Sequence, residues 1–219
     1  KFLNDQLFQF GGHSYKRALI PVGYTGQELV TKLNAKAKSL NIPIYVNMRA
    51  KSLIKKDGRI TGVKAQYQGK RNITFKAKNA VILTTGGFGS NVKMRTKYNK
   101  EFDKRYKSTD TAGTTGDGII MAQQAGAKLT NMKYIQTYPI ASPKTGMISL
   151  LADTRFDGAI LVNQKGQRFV EELERRDVIS KAILKQPGGY TYQIWNDKID
   201  GISKTKAAHK AEYNELIKE

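Results

Sequence analysis

The chain has 219 residues, no cysteine, and 38 lysines and arginines against 18 aspartates and glutamates, a net charge of +20. That length allows one domain or two small ones with a buried core, the cysteine count excludes disulfides, thiol catalysis and zinc–thiolate sites, and no apolar run reaches the roughly 20 residues of a membrane helix. The charge raises nucleic acid as a partner, but the lysines are spread along the chain and no nucleic-acid motif accompanies them, so the composition supports general anion affinity and no more.

In chain order, residues 4–21 read as irregular, punctuated by glycine. His13 beside Ser14 hints at a hydrolase, yet no acid stands out as a third member; His13, Ser14 and Arg17 also suit an ordinary hydrogen-bonded loop. Leu29, Val30, Leu33, Ala37 and Leu40 recur at helical spacing and predict an amphipathic helix over residues 25–40, capped by Thr25. Residues 42–47 predict a strand. Asp57 and Gly58 between two β-rich runs predict a tight hairpin, with its second strand over residues 60–67, and residues 73–77 add a strand. The apolar run 80–83 predicts a buried strand that feeds Thr84, Thr85, Gly86, Gly87, Phe88 and Gly89. These glycines invite a phosphate-loop reading, but the dinucleotide fingerprint sits between a first strand and a helix, with an acid roughly 20 residues on. Here the loop follows a late strand, and the glycines equally let the backbone pack against something flat. Residues 91–106 read as lysine-rich, helical or irregular, and solvated. Thr115, Gly116, Asp117 and Gly118 open a helix over residues 119–125 that Gly126 ends, an arrangement a plain turn and cap would also use.

The stretch 150–184 organises the second half. Residues 158–163 predict a buried strand, residues 163–166 a tight turn with Gly166 at positive φ, and residues 168–170 a returning strand. Asp177 is the expected N-cap of a helix over residues 178–184. Arg175 and Arg176 then stand at a helix entrance with Arg155 one hairpin earlier, which is either an anion site or a solvated hairpin. Pro187, Gly188 and Gly189 make a turn, residues 190–195 a strand, and residues 204–219 a charged helix. No internal repeat is visible.

The run around Arg155 and Arg176, the turn at residues 79–91, the helix start at residues 115–126, and residues 134–139 together resemble the FAD-dependent fumarate reductases of the flavocytochrome type and their urocanate reductase relatives. The resemblance implies an α/β plus α+β fold. Residues 1–132 would be the later part of a glutathione-reductase-like Rossmann domain that binds FAD, and residues 133–219 part of a capping domain. It implies FAD contacts at Asp117, Thr115, Gly116, Thr85, Gly86 and Gly87, with Ala50 in the turn after the strand at residues 44–47, and puts the loop around His13 near the flavin. The family's pyrophosphate-binding unit and its C-terminal segment have no counterpart, so the chain is expected to be the interior of a longer protein and inactive alone. No signal sequence is visible from Lys1 onward, and the missing cysteines are compatible with an exported protein, so an extracytoplasmic or cell-surface place is slightly favoured over a cytoplasmic one.

The family reduces an alkene conjugated to a carboxylate. Arg176 matches its proton-donating arginine and Arg155 its proton-relay arginine. A guanidinium is an unusual acid, with a free pKa above about 12, and a helix N-terminus disfavours a cation. Two departures bear on substrate. Tyr138 replaces a histidine, and Leu151 and Ala152 replace a Thr-Glu pair, which removes the relay glutamate and leaves Asp153 as its nearest substitute. A carboxylate facing a dicarboxylate repels it, so Tyr138 and Asp153 point to urocanate and its imidazole. Fumarate or an aryl acrylate on the same scaffold is the alternative, and a non-enzymatic basic binding module a distant third. The expected partners are a small unsaturated carboxylate and an electron-donor domain or protein outside this chain, with no nucleic acid and no membrane span.

Overall fold

A computed structural model describes residue 7 and residues 14–22, 26–142, 145–196, 198 and 209–216. The chain divides into two compact units, Lys1–Arg49 with Tyr67–Lys70, and Ala50–Gln66 with Arg71–Glu219. His13 and the cap expected at Thr25 lie outside the described residues.

In the first unit, helix α1 (Gly26–Ser39) has Glu28 in its first turn and Lys36 and Lys38 in its last, the charge order that the helix dipole favours. Asn41 ends it in the left-handed region, φ 54°. Ile42 N donates to Ala37 O at 3.0 Å and Asn41 N to Lys38 O at 3.0 Å, the paired bonds that satisfy a helix's last carbonyls. The helix is where its periodicity puts it, but Leu33 is 69% exposed and none of its residues is buried. The strand expected over residues 42–47 is absent. Ile42, Ile44 and Val46 are exposed, and no described segment pairs with their backbone. An apolar run becomes a strand only when a neighbour accepts its hydrogen bonds.

The second unit contains most of a three-stranded sheet in the order β1 (Met48–Lys56), β2 (Arg59–Tyr67), β3 (Arg71–Lys76). Asp57 and Gly58 both take positive φ, 49° and 78°, which is the hairpin turn whose twist matches its strands. The buried strand expected over residues 80–83 is absent: the run has no regular secondary structure, and Ile82 is 83% exposed. Helix α2 (Val92–Tyr98) is capped by Asn91, whose side chain accepts from Met94 N at 3.0 Å. This region is not simply solvated. Met94, Arg95 and Phe102 are buried, because Arg95 Nη2 donates to Tyr106 O at 2.9 Å and folds the following loop back over the helix. Helix α3 (Asp117–Gln124) ends at Gly126, φ 105°, as expected.

A 3₁₀ segment, Leu150–Asp157, leads into β4 (Ile160–Val162). The partner of β4 is β5 (Tyr192–Ile194), antiparallel, with Leu161 opposite Gln193. Residues 168–170 do not return as a strand; only a single bridge joins Val162 to Arg168. The reason is chemical. Leu161 N donates to the Glu172 carboxylate at 2.8 Å, so a side chain takes the ladder position a strand would have filled. Helix α4 (Arg176–Leu184) buries Ile179 and Ile183, one turn apart, against Leu161. Helix α5 (Lys210–Leu216) is the last described element.

Candidate functional site

Two glycine turns meet in the second unit. Ser90 N donates to Thr114 O at 3.1 Å, and Asn91 Nδ2 donates to Thr115 O at 2.8 Å. These bonds tie the end of the 84–89 loop to the start of α3. Gly118 is pressed against the side chain of Thr85, and Gly116, at φ 81°, against Met94 and Phe88. Neither position has room for a Cβ. Gly118→Ala is expected to destabilise the protein by about 2 kcal/mol through overpacking, read as a lower midpoint in urea unfolding; an unchanged midpoint would mean that the turns separate freely.

Thr85, Gly86 and Gly87 are exposed. Gly86 takes φ 72°, and nothing lies within 4 Å of where a Gly87 Cβ would be. Beside them α3 starts at Gly116 without a side-chain cap, and Thr115 Oγ1 donates to Asp117 Oδ1 at 2.7 Å, fixing that carboxylate. Side-chain-free backbone next to an uncapped helix start suits close approach of a flat ring system or an anionic group. Ala50 is placed differently from expectation. It is the third residue of β1 rather than part of a turn, and the left-handed turn residue is Asn47, φ 58°. Ser14 and Arg17, in the first unit, are exposed.

A cleft of about 420 Å³ borders the glycine turn; Gly87, Gly89, Arg95, Tyr138 and Arg176 are among the residues that line it. The Arg176 guanidinium lies 5.1 Å from the Tyr138 ring centre. The Tyr138 hydroxyl lies within the field of the Arg155 guanidinium. Arg155 is 4% exposed; its Nε donates to Ala152 O and its Nη1 to Glu172 O, both at 3.1 Å. Asp153 is within charge reach of Arg155 and Arg176. Of the four residues singled out for chemistry and substrate, Tyr138 and Arg176 line the cleft, whereas Arg155 and Asp153 are not among the residues that line it.

Their environment alters their protonation. Burial pushes the Tyr138 hydroxyl up, with the Asp153 carboxylate adding to it. Burial also raises the Asp153 carboxyl, against the pull of His209 and Arg155, and lowers the Arg155 guanidinium. Each shift disfavours the charged form, as expected where water is partly excluded.

The two neighbouring arginines differ. Arg175, not Asp177, is the N-cap residue of α4, and its guanidinium closes onto Asp177 with bonds of 3.0 and 2.7 Å. Asp177 is engaged by that pair, so it does not cap the helix through its side chain. Arg176 is the first helical residue, and among the described residues it forms no ion pair. Sequence reasoning missed three contributors: Arg95 in the cleft wall, Glu172 under β4, and Glu212 on α5. Nothing in a charged run separates a buried acid or arginine from a solvated one.

Residues 6–202 match the FAD binding domain family. The urocanate reductase of Eggerthella lenta is 46% identical over 203 residues, covering 91% of this chain and 33% of that protein. The fumarate reductase (cytochrome) of Shewanella frigidimarina is 39% identical over 192 residues, 86% of this chain and 33% of that protein. Among solved structures, the open conformation of a flavocytochrome c3 fumarate reductase matches with a TM-score of 0.81 and 30% identity, over 95% of this chain and 37% of that one. The chain therefore spans about a third of the length of these relatives.

Proposed function

We propose, from the premise that this chain belongs to the FAD binding domain family, that it supplies flavin-facing turns and the acid–arginine wall of a flavin-dependent enoate reductase whose substrate is urocanate, reduced to imidazole propionate. The observation that carries the reading is the single cleft shared by the glycine turn, Tyr138 and Arg176. Thr85, Gly86, Gly87, Thr115, Gly116 and Asp117 fit a flavin, because the backbone at Gly86 and Gly87 carries no side chain to obstruct a flat ring and is open at Gly87. FAD, when bound, supplies the hydride. In this reading residues 1–132 belong to the flavin-binding domain and residues 133–219 to the capping domain, and the electrons come from a donor domain or protein outside this chain.

The chain's own residues do the rest. Arg176 holds a proton on its guanidinium at the mouth of the glycine turn and gives it to the alkene carbon beside the one that receives hydride. Arg155, held by two backbone carbonyls, passes protons inward. Asp153 accepts the ring N–H of the imidazole, and Tyr138 packs against the ring. The relay glutamate of relatives is replaced by Ala152, so Asp153, next in the chain, also stands closest to the proton route.

Fumarate is the second reading, favoured by the 39% identity to a fumarate reductase. Leu151 and Ala152 speak against it. They are 2% and 0% exposed and apolar, so they offer a second carboxylate no donor. The test is reduced-dye oxidation by the full-length protein with urocanate against fumarate. Urocanate is expected to be preferred, and Asp153→Asn to raise its KM about tenfold, the loss of one charge-assisted hydrogen bond. Equal kcat/KM for both substrates would overturn the pocket argument, and lack of flavin absorbance would overturn the reading as a whole.

A further inference from the structure

Arg95 stands in the wall of the cleft, on α2, and is 5% exposed. The helix that carries it is tied to the flavin-facing turns: Asn91 caps it and also donates from Nδ2 to Thr115 O at 2.8 Å. One end of the guanidinium has a structural duty. Nη2 donates to Tyr106 O at 2.9 Å and to Asp103 O at 3.4 Å. Both acceptors are neutral carbonyls. Nε is buried and has no partner, and among the described residues no carboxylate is bonded to Arg95. Asp103 and Asp110 act on it only through space; Asp103 is closed onto Arg105 Nε with two bonds of 3.0 Å, and Asp110 is exposed. Thr137 also lines the cleft, and its Oγ1 is a second buried atom without a partner.

A buried guanidinium bonded only to carbonyls keeps a charge that nothing neutralises, and this is costly. Buried polar atoms nearly always find partners, so two orphans in the wall of one cleft call for a cause. Both can donate, so what completes them is an acceptor. The cleft's charge has the same sense: Arg95, Lys107 and Arg176 line it against Asp110 alone. Arg176 is poorly suited to hold an anion itself. A guanidinium tied to a carboxylate keeps its proton more tightly, whereas Arg176 has a proton to release, and it is placed on the Tyr138 ring.

We propose that Arg95, with Thr137, forms the anion-binding end of the cleft and takes the carboxylate of the substrate, which leaves Arg176 unpaired for proton transfer. This rests on the enoate reductase reading above, but not on which enoate is reduced. It gives Arg95 two duties, with Nη2 holding the 103–106 loop and the rest of the guanidinium serving the ligand.

The experiment titrates oxidised full-length protein with urocanate and with its uncharged amide, followed by flavin absorbance, in the parent, Arg95→Gln and Thr137→Val. Arg95→Gln is expected to weaken urocanate about thirtyfold and the amide less than about threefold, the loss of one charge-assisted bond. Thr137→Val is expected to weaken urocanate about fivefold without lowering the urea unfolding midpoint of the ligand-free protein, because the hydroxyl it removes has no partner to lose. Should Arg95→Gln fail to fold, Thr137→Val decides. An equal loss for acid and amide in Arg95→Gln would make Arg95 structural only and overturn the assignment, as would a Thr137→Val protein that binds urocanate like the parent. A parent that neither binds nor reduces urocanate would overturn the substrate reading instead, and the same titrations with fumarate against fumaramide would then decide on Arg95.

Discussion

Arg176→Lys in the full-length protein is expected to lower kcat for urocanate reduction by about a thousandfold while the flavin spectrum stays that of the parent. A positioned acid contributes on the order of 10² to 10⁴ to rate, and lysine keeps the charge but not the reach or planar fork of the guanidinium. The geometry singles out Arg176 among its neighbours. It is the first residue of α4 and lines the cleft with Gly87 and Tyr138. Arg175, adjacent in sequence, is closed onto Asp177 and its side chain is 77% exposed. Arg175→Lys is therefore expected to change kcat less than about twofold, since an exposed ion pair is worth little. Arg155→Lys should fall between the two, because it breaks the bonds to Ala152 and Glu172 without removing the donor itself. Anaerobic reduced-dye assays on the three variants check the order. An Arg176→Lys protein within tenfold of the parent would show that the position supplies only positive charge.

What the sequence made legible follows from which interactions are local. Helix α1, the Asp57–Gly58 hairpin and the turn into α3 are each fixed by residues within a few positions, so spacing and turn chemistry find them. The failures share one cause. The runs 42–47 and 80–83 have the composition of strands, but a ladder needs a neighbour and none is present among the described residues. The return at 168–170 failed for the complementary reason: Glu172 occupies the open edge of β4, and the pairing strand, β5, comes from a later part of the chain. The cleft was legible only through resemblance. No periodicity brings Tyr138 and Arg176 to one cleft, and the ties that hold the segment carrying Asp153 and Arg155, through Glu172, Gln193 and Glu212, are side-chain bonds between segments distant in sequence.

Glu172→Ala is expected to lower stability by about 3 kcal/mol, which for a chain of this size is roughly 6–12 °C in Tm. The residue is 4% exposed. It accepts from Leu161 N at 2.8 Å, from Arg168 Nη2 at 2.6 Å and from Arg168 Nε at 3.2 Å, and alanine would leave a buried β4 N–H without an acceptor. Burial alone would raise this carboxyl. The Arg168 bonds, with those from backbone N–H groups, outweigh it and hold the group below its ordinary value of 4.5. A depressed folded-state value means that its stabilisation is fully present above about pH 4.5 and is lost as pH falls through the folded-state value. The stability gap between the parent and Glu172→Gln should accordingly be constant near neutrality and close on acidification below that point. A gap that stays constant down to about pH 3 would mean that the carboxylate's charge contributes nothing. Because Arg155 Nη1 donates to Glu172 O, loosening this residue also reaches the cleft. Glu172→Gln is therefore expected to cost more kcat/KM at pH 7 than its modest loss of stability alone would produce.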